Sequence, residues 1–274
     1  MNPPLSAQFT KDISTMPFGR RQFCALMASA AIGNLGACRL SGGSVLANGG
    51  RITARPREGV KTTATGHINL GIAPGDRDAI LHLPKVQTPV PLLVMLHGAT
   101  QNADDMFWYL GSTHEEAGVA ILAPNSRGTT WDAVGGSFGP DVDFLNLALE
   151  RVFQIAAIDP ARICVGGFSD GASYAIGLGL LNTDLFTMVA AFSPGFVPEE
   201  AATQADLLAS TKPRFFISHG TQDHILPINS CGRRIAQGLK SRGYDVTFRE
   251  FDGDHEIPAD VAREGMMWVS TKRY

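Results

Sequence analysis

Short apolar runs alternate with longer amphipathic ones from about residue 62 to the end of the chain. Six of the apolar runs, from PLLVMLHG to DVTFREF, have the length and β-branched content of strands. Two more, HINLGIAP and AILHLPKV, flank Gly75 and Asp76, a pair typical of hairpin turns. The alternation predicts an α/β domain at residues 62–274, with a mostly parallel sheet and helices on both faces.

Two segments between these strands have helical character. In residues 145–156, apolar side chains recur at the spacing of a single helical face, namely at Leu145, Ala148, Leu149, Val152, Phe153 and Ala156. Residues 172–181 are apolar throughout and compatible with a helix. We expect the first of these helices to bury one face.

The first 37 residues have the architecture of an export signal. Arg20 and Arg21 precede a mildly apolar stretch and then small residues, and the arginine pair resembles a twin-arginine signal. The segment Leu-Gly-Ala-Cys ending at Cys38 resembles a lipobox, which predicts lipidation of Cys38; cleavage after Ala47 is the alternative. Residues 38–61 are predicted to be a linker. We therefore expect an exported bacterial protein, periplasmic or anchored in the envelope.

Composition and charge limit the classes of function that this chain can have. The 274 residues are 44% hydrophobic and 18% charged, enough for one sizeable core, and the formal net charge is −3. No basic block is present, which argues against a nucleic-acid partner. No apolar run reaches 18 residues, so contact with a membrane is expected only through a lipid on the N-terminal anchor. Cys164 and Cys231 are too few for a disulfide framework.

Ser169 lies in a G-x-S-x-G motif, Gly167 to Gly171. In a chain with 30 glycines, this motif occurs by chance in roughly one case in five, so its context has to decide. A buried strand precedes it and a helical segment follows it. Strand, tight turn and helix are the arrangement of a nucleophile elbow, which exposes the serine at the edge of a sheet.

A serine nucleophile needs a general base and a carboxylate that orients the base. In this fold class both follow the serine, each after a later strand. Asp223 follows RFFISHG and His255 follows DVTFREF, so the two occur in the required order. His224 is the rival base, but it is adjacent to Asp223, and neighbouring residues on a short loop rarely turn towards each other. Asp252 and Asp254 are rival acids, but they are so close in sequence to His255 that we expect them to shape its loop.

The developing oxyanion needs two backbone N–H donors. Asp170 directly follows the serine and supplies one. The strand ending at His97 and Gly98 is followed by Ala99, whose N–H is predicted to face the serine and to supply the other.

Four segments, LHGATQN, GFSDGASYA, HGTQDHILPI and FDGDHEIP, together resemble the phospholipase/carboxylesterase branch of the α/β-hydrolase superfamily. They also resemble secreted esterases of the polyhydroxybutyrate-depolymerase and feruloyl-esterase type. The resemblance implies a triad of Ser169, Asp223 and His255, no metal, no cofactor, and carboxylic esters of modest size as substrates. Relatives often have glycine directly before the catalytic histidine, whereas this chain has Asp254.

The resemblance does not define the substrate. No insertion is long enough for a cap domain, so we expect an open site whose pocket is walled by Trp131 and Phe138; Trp131 covering the core is the alternative. The chain is predicted to be a carboxylesterase acting on a small-molecule ester. A peptidase or thioesterase with the same triad is the first alternative, and a non-catalytic, envelope-anchored binding protein is the second.

Overall fold

The computed structural model describes residues 49–271, except residues 74, 76, 209 and 210. Arg20, Arg21, Cys38 and Ala47 lie outside the described residues. Export, lipidation and the position of cleavage therefore stay predictions.

Eight strands form one sheet in the order β1-β2-β4-β3-β5-β6-β7-β8. The hairpin of β1 and β2 is antiparallel, as predicted, and β2 also pairs antiparallel with β4; all other pairs are parallel. The strand bounds are β1 Gly66–Asn69, β2 Ala79–Leu83, β3 Val90–Leu96, β4 Ala120–Pro124, β5 Ile158–Phe168, β6 Met188–Phe192, β7 Arg214–Gly220 and β8 Val246–Phe251.

Helices cover both faces of the sheet. They are α1 Ala103–Leu110, α2 Thr113–Glu116, α3 Pro140–Ile155, α4 Asp170–Leu181, α5 Glu199–Leu208, α6 Gly232–Ser241 and α7 Ala259–Ser270, with a 3-10 turn at Asp132–Val134. Buried side chains of α3, α4 and α6 form one core with alternate residues of the strands, such as Leu92 and Val94. Those of α1 and α7 form a second core with the residues between them, such as Leu93. The alternation follows from the two-residue period of a strand.

Both predicted helices are present. The six apolar positions from Leu145 to Ala156 are buried, as their spacing predicts. The helix α3 begins five residues earlier than the apolar pattern, at Pro140, because its first turn carries Asp141 and Asp143. Proline at the first helical position and acidic residues in the first turn both favour a helix start.

The predicted linker is folded in its second half. Ile52 and Ala54 are buried in the core beside α3 and α4. The side chain of Asn182, at the end of α4, accepts from the Ile52 N–H at 2.7 Å and donates to the Gly50 carbonyl at 2.8 Å. The domain boundary at residue 62 is thus placed too late, because residues 50–54 are part of the folded domain.

Within the residues described above, no helix combines the length and the apolar character needed to cross a lipid bilayer.

Candidate active site

Ser169 lies at the sharp turn between β5 and α4. Its φ of 57° and ψ of −118° are unfavourable for a residue with a Cβ. The turn is held by the Ser169 N–H, which donates to the Phe192 carbonyl of β6 at 3.0 Å. The side chain is therefore presented at the carboxyl edge of the sheet, in the conformation of a nucleophile elbow.

Glycines let the backbone close in around this turn. A Cβ at Gly171 would lie 2.3 Å from the Leu96 carbonyl oxygen and 2.5 Å from that of His97. A Cβ at Gly167 would lie 2.4 Å from the carbonyl carbon of Gly171. Since backbone atoms cannot move away as a flexible side chain can, both positions require glycine.

Asp223 and His255 are brought together. Asp223 follows β7, His255 follows β8, and Nδ1 of His255 lies 2.7 Å from Oδ2 of Asp223. The His255 ring also packs against Phe168, with ring centroids 4.8 Å apart. Because Phe168 directly precedes Ser169, this contact sets the imidazole beside the elbow. The catalytic roles of the three residues stay predictions.

His224 and Asp254 form a separate pair. Nδ1 of His224 lies 3.1 Å from Oδ1 of Asp254, and both side chains are largely exposed. His224 thus contacts the neighbouring loop instead of Asp223. The two loops are closely packed, since a Cβ at Gly220 would lie 2.2 Å from the Asp254 carbonyl oxygen, and the Gln222 N–H donates to the Gly253 carbonyl at 2.9 Å.

The Asp223 carboxylate is buried and fully engaged. Its Oδ1 accepts from the N–H groups of Ile225 at 3.0 Å and Leu226 at 2.7 Å, while its Oδ2 faces His255. Burial by itself would raise the pKa of Asp223, but hydrogen bonds from His219, His255 and the Leu226 N–H lower it well below its usual range. Asp223 is therefore ionised at neutral pH and can orient an imidazole and stabilise its protonated form.

The two predicted oxyanion donors come from segments that meet at Ser169. Asp170 is the first residue of α4, where backbone N–H groups have no acceptor within the helix. Ala99 follows Gly98, and a Cβ at Gly98 would lie 3.3 Å from the Cβ of Ser169. The loop after β4 joins the two segments, because the Thr130 hydroxyl donates to the Asp170 carboxylate at 2.7 Å and the Thr129 carbonyl accepts from the Thr100 N–H at 2.7 Å. The assignment of Ala99 and Asp170 as donors stays a prediction.

His97 fixes the strand end that carries Ala99. Its Nε2 accepts from the Ser126 N–H at 3.0 Å, so its proton is on Nδ1, which contacts the Gly98 carbonyl at 2.7 Å. Burial lowers the pKa of His97, and the ring is therefore neutral at neutral pH. Trp131 donates from Nε1 to the His97 carbonyl at 2.8 Å and packs against its ring.

Trp131 and Phe138 do not wall a pocket. Their exposed fractions are 1% and 5%, and both rings pack against buried Tyr174 of α4. The prediction of a pocket role is wrong for both residues, and the alternative, in which Trp131 covers the core, is confirmed. The physical reason is that the loop after β4 folds inwards, which lets the indole satisfy its N–H at the His97 carbonyl.

Two aspartates close that loop on itself. The Asp132 N–H donates to Asp141 at 2.8 Å and the Asp141 N–H donates to Asp132 at 2.9 Å. Tyr174 adds a hydrogen bond to Asp132 at 2.9 Å. The 3-10 turn that follows Trp131 is thereby held to the first turn of α3.

Sequence reasoning missed two kinds of residue at this edge. Phe196, after β6, and Ile225, after β7, are 38% and 60% exposed and offer apolar surface beside the site. The sequence does not reveal such residues, because an apolar residue in a loop can equally well be buried in the core. His219, near the end of β7, contacts Asp223, and its position directly before a glycine at a strand end is typical of a structural histidine.

Residues 146–270 match the model of the phospholipase/carboxylesterase family. An acyl-protein thioesterase 1 of Emericella nidulans is 30% identical over 118 residues, which are 39% of this chain and 45% of that protein. A poly(3-hydroxybutyrate) depolymerase of Ralstonia pickettii is 27% identical over 135 residues, 41% of this chain and 28% of that protein. The chain thus matches less than half the length of these curated relatives.

Among solved structures, an S-formylglutathione hydrolase of Staphylococcus aureus superimposes with a TM-score of 0.64 over 77% of this chain and 98% of its own, at 18% identity. The chain has the α/β-hydrolase fold. The resemblance to the phospholipase/carboxylesterase branch, predicted from four short motifs, is confirmed. Three of those motifs, which contain Ser169, Asp223 and His255, lie within the matched residues.

Proposed function

We propose that this α/β hydrolase cleaves carboxylic esters of small to medium size through an acyl-enzyme. Ser169 is the nucleophile, His255 the general base, and Asp223 the carboxylate that orients His255. The observation that carries the proposal is the 2.7 Å contact between His255 and buried, ionised Asp223, next to a serine in strained elbow geometry. Strain and a strongly shifted pKa concentrate at functional sites.

In the first step, Oγ of Ser169 attacks the ester carbonyl carbon and its proton passes to Nε2 of His255. The oxyanion is stabilised by the N–H groups of Ala99 and Asp170. His255 then protonates the alcohol oxygen as the ester bond breaks, leaving an acyl group on Ser169. Water attacks that acyl group as it gives a proton to His255, and His255 returns this proton to Oγ of Ser169 as the bond to the acyl group breaks and the acid leaves.

A thioesterase is the second candidate, favoured by the similarity to an acyl-protein thioesterase. The same steps apply, with a thiolate replacing the alkoxide as leaving group. The two candidates differ in their rates towards matched oxygen and sulfur esters, so the substrate panel has to contain both.

A fluorophosphonate probe tests whether Ser169 is activated, because only an activated serine labels readily. We expect wild-type protein to label and to hydrolyse p-nitrophenyl esters, with acetyl and butyryl esters cleaved faster than palmitoyl esters. Ser169→Ala abolishes both labelling and turnover. His255→Ala lowers kcat by about three to six powers of ten, whereas His224→Ala costs about tenfold at most.

A matched panel of acyl thioesters and a dipeptide amide assigns the reaction. Faster turnover of thioesters than of oxygen esters would move the proposal to the second candidate. Absence of labelling in folded wild-type protein would overturn both candidates and favour a non-catalytic binding protein. Activity retained in His255→Ala but lost in His224→Ala would refute the triad.

A further inference from the structure

His219 is a second histidine at the carboxylate of Asp223. It is the penultimate residue of β7, and its side chain is completely buried. Its Nε2 lies 2.7 Å from the Leu226 carbonyl oxygen and 3.2 Å from Oδ2 of Asp223. The proposed mechanism assigns no role to this side chain.

The proton on this imidazole can be placed from its neighbours. A carbonyl oxygen and an ionised carboxylate only accept hydrogen bonds, so Nε2 of His219 carries a hydrogen and donates it to both. Oδ2 of Asp223 consequently lies between two imidazole donors, Nε2 of His219 on one side and Nδ1 of His255 at 2.7 Å on the other.

The other ring nitrogen of His219, Nδ1, faces the start of α6. Nδ1 of His219 is buried and has no hydrogen-bond partner within the described part of the chain. Nδ1 packs on Gly232, the first residue of α6, so closely that a Cβ at Gly232 would lie 2.6 Å from Nδ1.

We propose that His219 is a positioning residue that acts through Asp223, holding Oδ2 in line with His255. This inference rests on the proposed function, in which Asp223 orients the general base. His219 spans the turn of residues 223–226, because it donates both to the carboxylate at its start and to the Leu226 carbonyl at its end. The backbone N–H groups of Ile225 and Leu226 hold Oδ1, and His219 adds a donor at Oδ2 beside His255, which further restrains rotation of the carboxyl group about its bond to Cβ.

A packing role alone would not require a histidine. The preceding residues of β7 are Phe215, Phe216, Ile217 and Ser218, and an apolar side chain at 219 would fill the same buried volume without the cost of burying an imidazole. Within the described part of the chain, removal of the His219 side chain leaves His255 as the one side-chain donor at Oδ2 of Asp223, and it leaves the Leu226 carbonyl without this partner. Rotation of the carboxylate would then shift His255 relative to Ser169.

The test compares His219→Leu, which removes the donor, with His219→Gln, whose side-chain amide can still donate to Oδ2. His114→Gln, a change at another buried histidine remote from Asp223, is the matched control. For His219→Leu we expect kcat for p-nitrophenyl butyrate to fall about 10- to 100-fold with KM changed less than twofold, as for a misplaced catalytic group. His219→Gln recovers most of the loss, and His114→Gln stays within twofold of wild type.

A substrate-free readout separates this inference from the proposed function. We expect the proton between Nδ1 of His255 and Oδ2 of Asp223 to give a far-downfield proton NMR resonance, which is assigned by its loss in His255→Gln. We expect this resonance to vanish or move upfield in His219→Leu and to persist in His219→Gln and His114→Gln. If wild-type protein hydrolysed no ester but the resonance responded in this way, the proposed function would fail and the positioning role would stand.

Unchanged kcat and an unchanged resonance in His219→Leu would overturn the inference, because His219 would then only fill space. An equal loss in His219→Gln and His219→Leu would overturn it as well, since rescue depends on the donor. Should His219→Leu fail to fold, His219→Asn replaces it, because its amide is too short to reach Asp223; full activity and an unshifted resonance in that variant would refute the role.

Discussion

We expect His114→Gln to make the stability of the domain less sensitive to acid. His114 is 5% exposed, and its ring lies 4.5 Å from that of His82, which lies 4.7 Å from that of His67. Burial, and then the charge of His82, lower the pKa of His114 from 6.5 to about 4. Glutamine retains a polar side chain that can donate to the Gly111 carbonyl, as His114 does, but it does not titrate.

The sign and size of this pH effect on the free energy of unfolding follow from proton linkage. Between pH 6.5 and pH 4 the unfolded chain binds a proton at His114 that the folded chain does not, so stability falls as pH decreases through this window. For these two pKa values, the loss between pH 7.5 and pH 5 is about 2 kcal/mol. The stability that depends on a neutral His114 is complete above pH 6.5 and is lost as the pH falls towards 4.

Urea unfolding of both proteins at pH 7.5 and pH 5 measures the effect. The wild-type free energy of unfolding should fall by about 2 kcal/mol more than that of His114→Gln over this interval. Parallel losses in the two proteins would refute the reasoning, because the buried ring would then not resist protonation. The m-values serve as the control for a change in the unfolded state.

Substitutions of Trp131 and Gly171 test the residues that hold the elbow and the strand end at His97 in place. Trp131→Phe removes the hydrogen bond to the buried His97 carbonyl, so we expect the free energy of unfolding to fall by about 1–3 kcal/mol. Turnover should fall by the same factor for esters of every acyl length, whereas an unequal loss would restore a pocket role. Gly171→Ala places a Cβ 2.3 Å from the Leu96 carbonyl oxygen and should greatly reduce fluorophosphonate labelling. Its control, Gly238→Ala, has open space at its Cβ and should label like wild type while α6 becomes more stable by up to about 1 kcal/mol; equal labelling of the two variants would contradict the steric argument.

The strands were predictable because each is a continuous apolar run between polar segments. In the central strands of a parallel sheet covered on both faces, every position is buried, so the apolar runs of β3 and β6 differ clearly from the amphipathic helices around them. The contact between Asp223 and His255 was predictable for a topological reason, since parallel strands end at the same edge of the sheet.

Side-chain direction in irregular segments was not predictable. Trp131 and Phe138 lie in a glycine-rich loop after β4, where no periodicity indicates which side faces the core. Ile52 is a single apolar residue among arginines and glycines, so its burial against α4 has no local signal. The contact of His219 with Asp223 depends on the turn of residues 223–226, which sequence alone does not specify.

Two contacts join the loop after β7 to the loop after β8. Asp223 contacts His255, and His224 contacts Asp254. Each pair joins one residue from each loop, and Gly220 accepts no Cβ because the second loop lies against it. In a chimera between homologues, a crossover placed between residues 224 and 252 would combine loops that had not adapted to each other. We therefore expect the two loops to be transferable only as one block, from β7 to the start of α7.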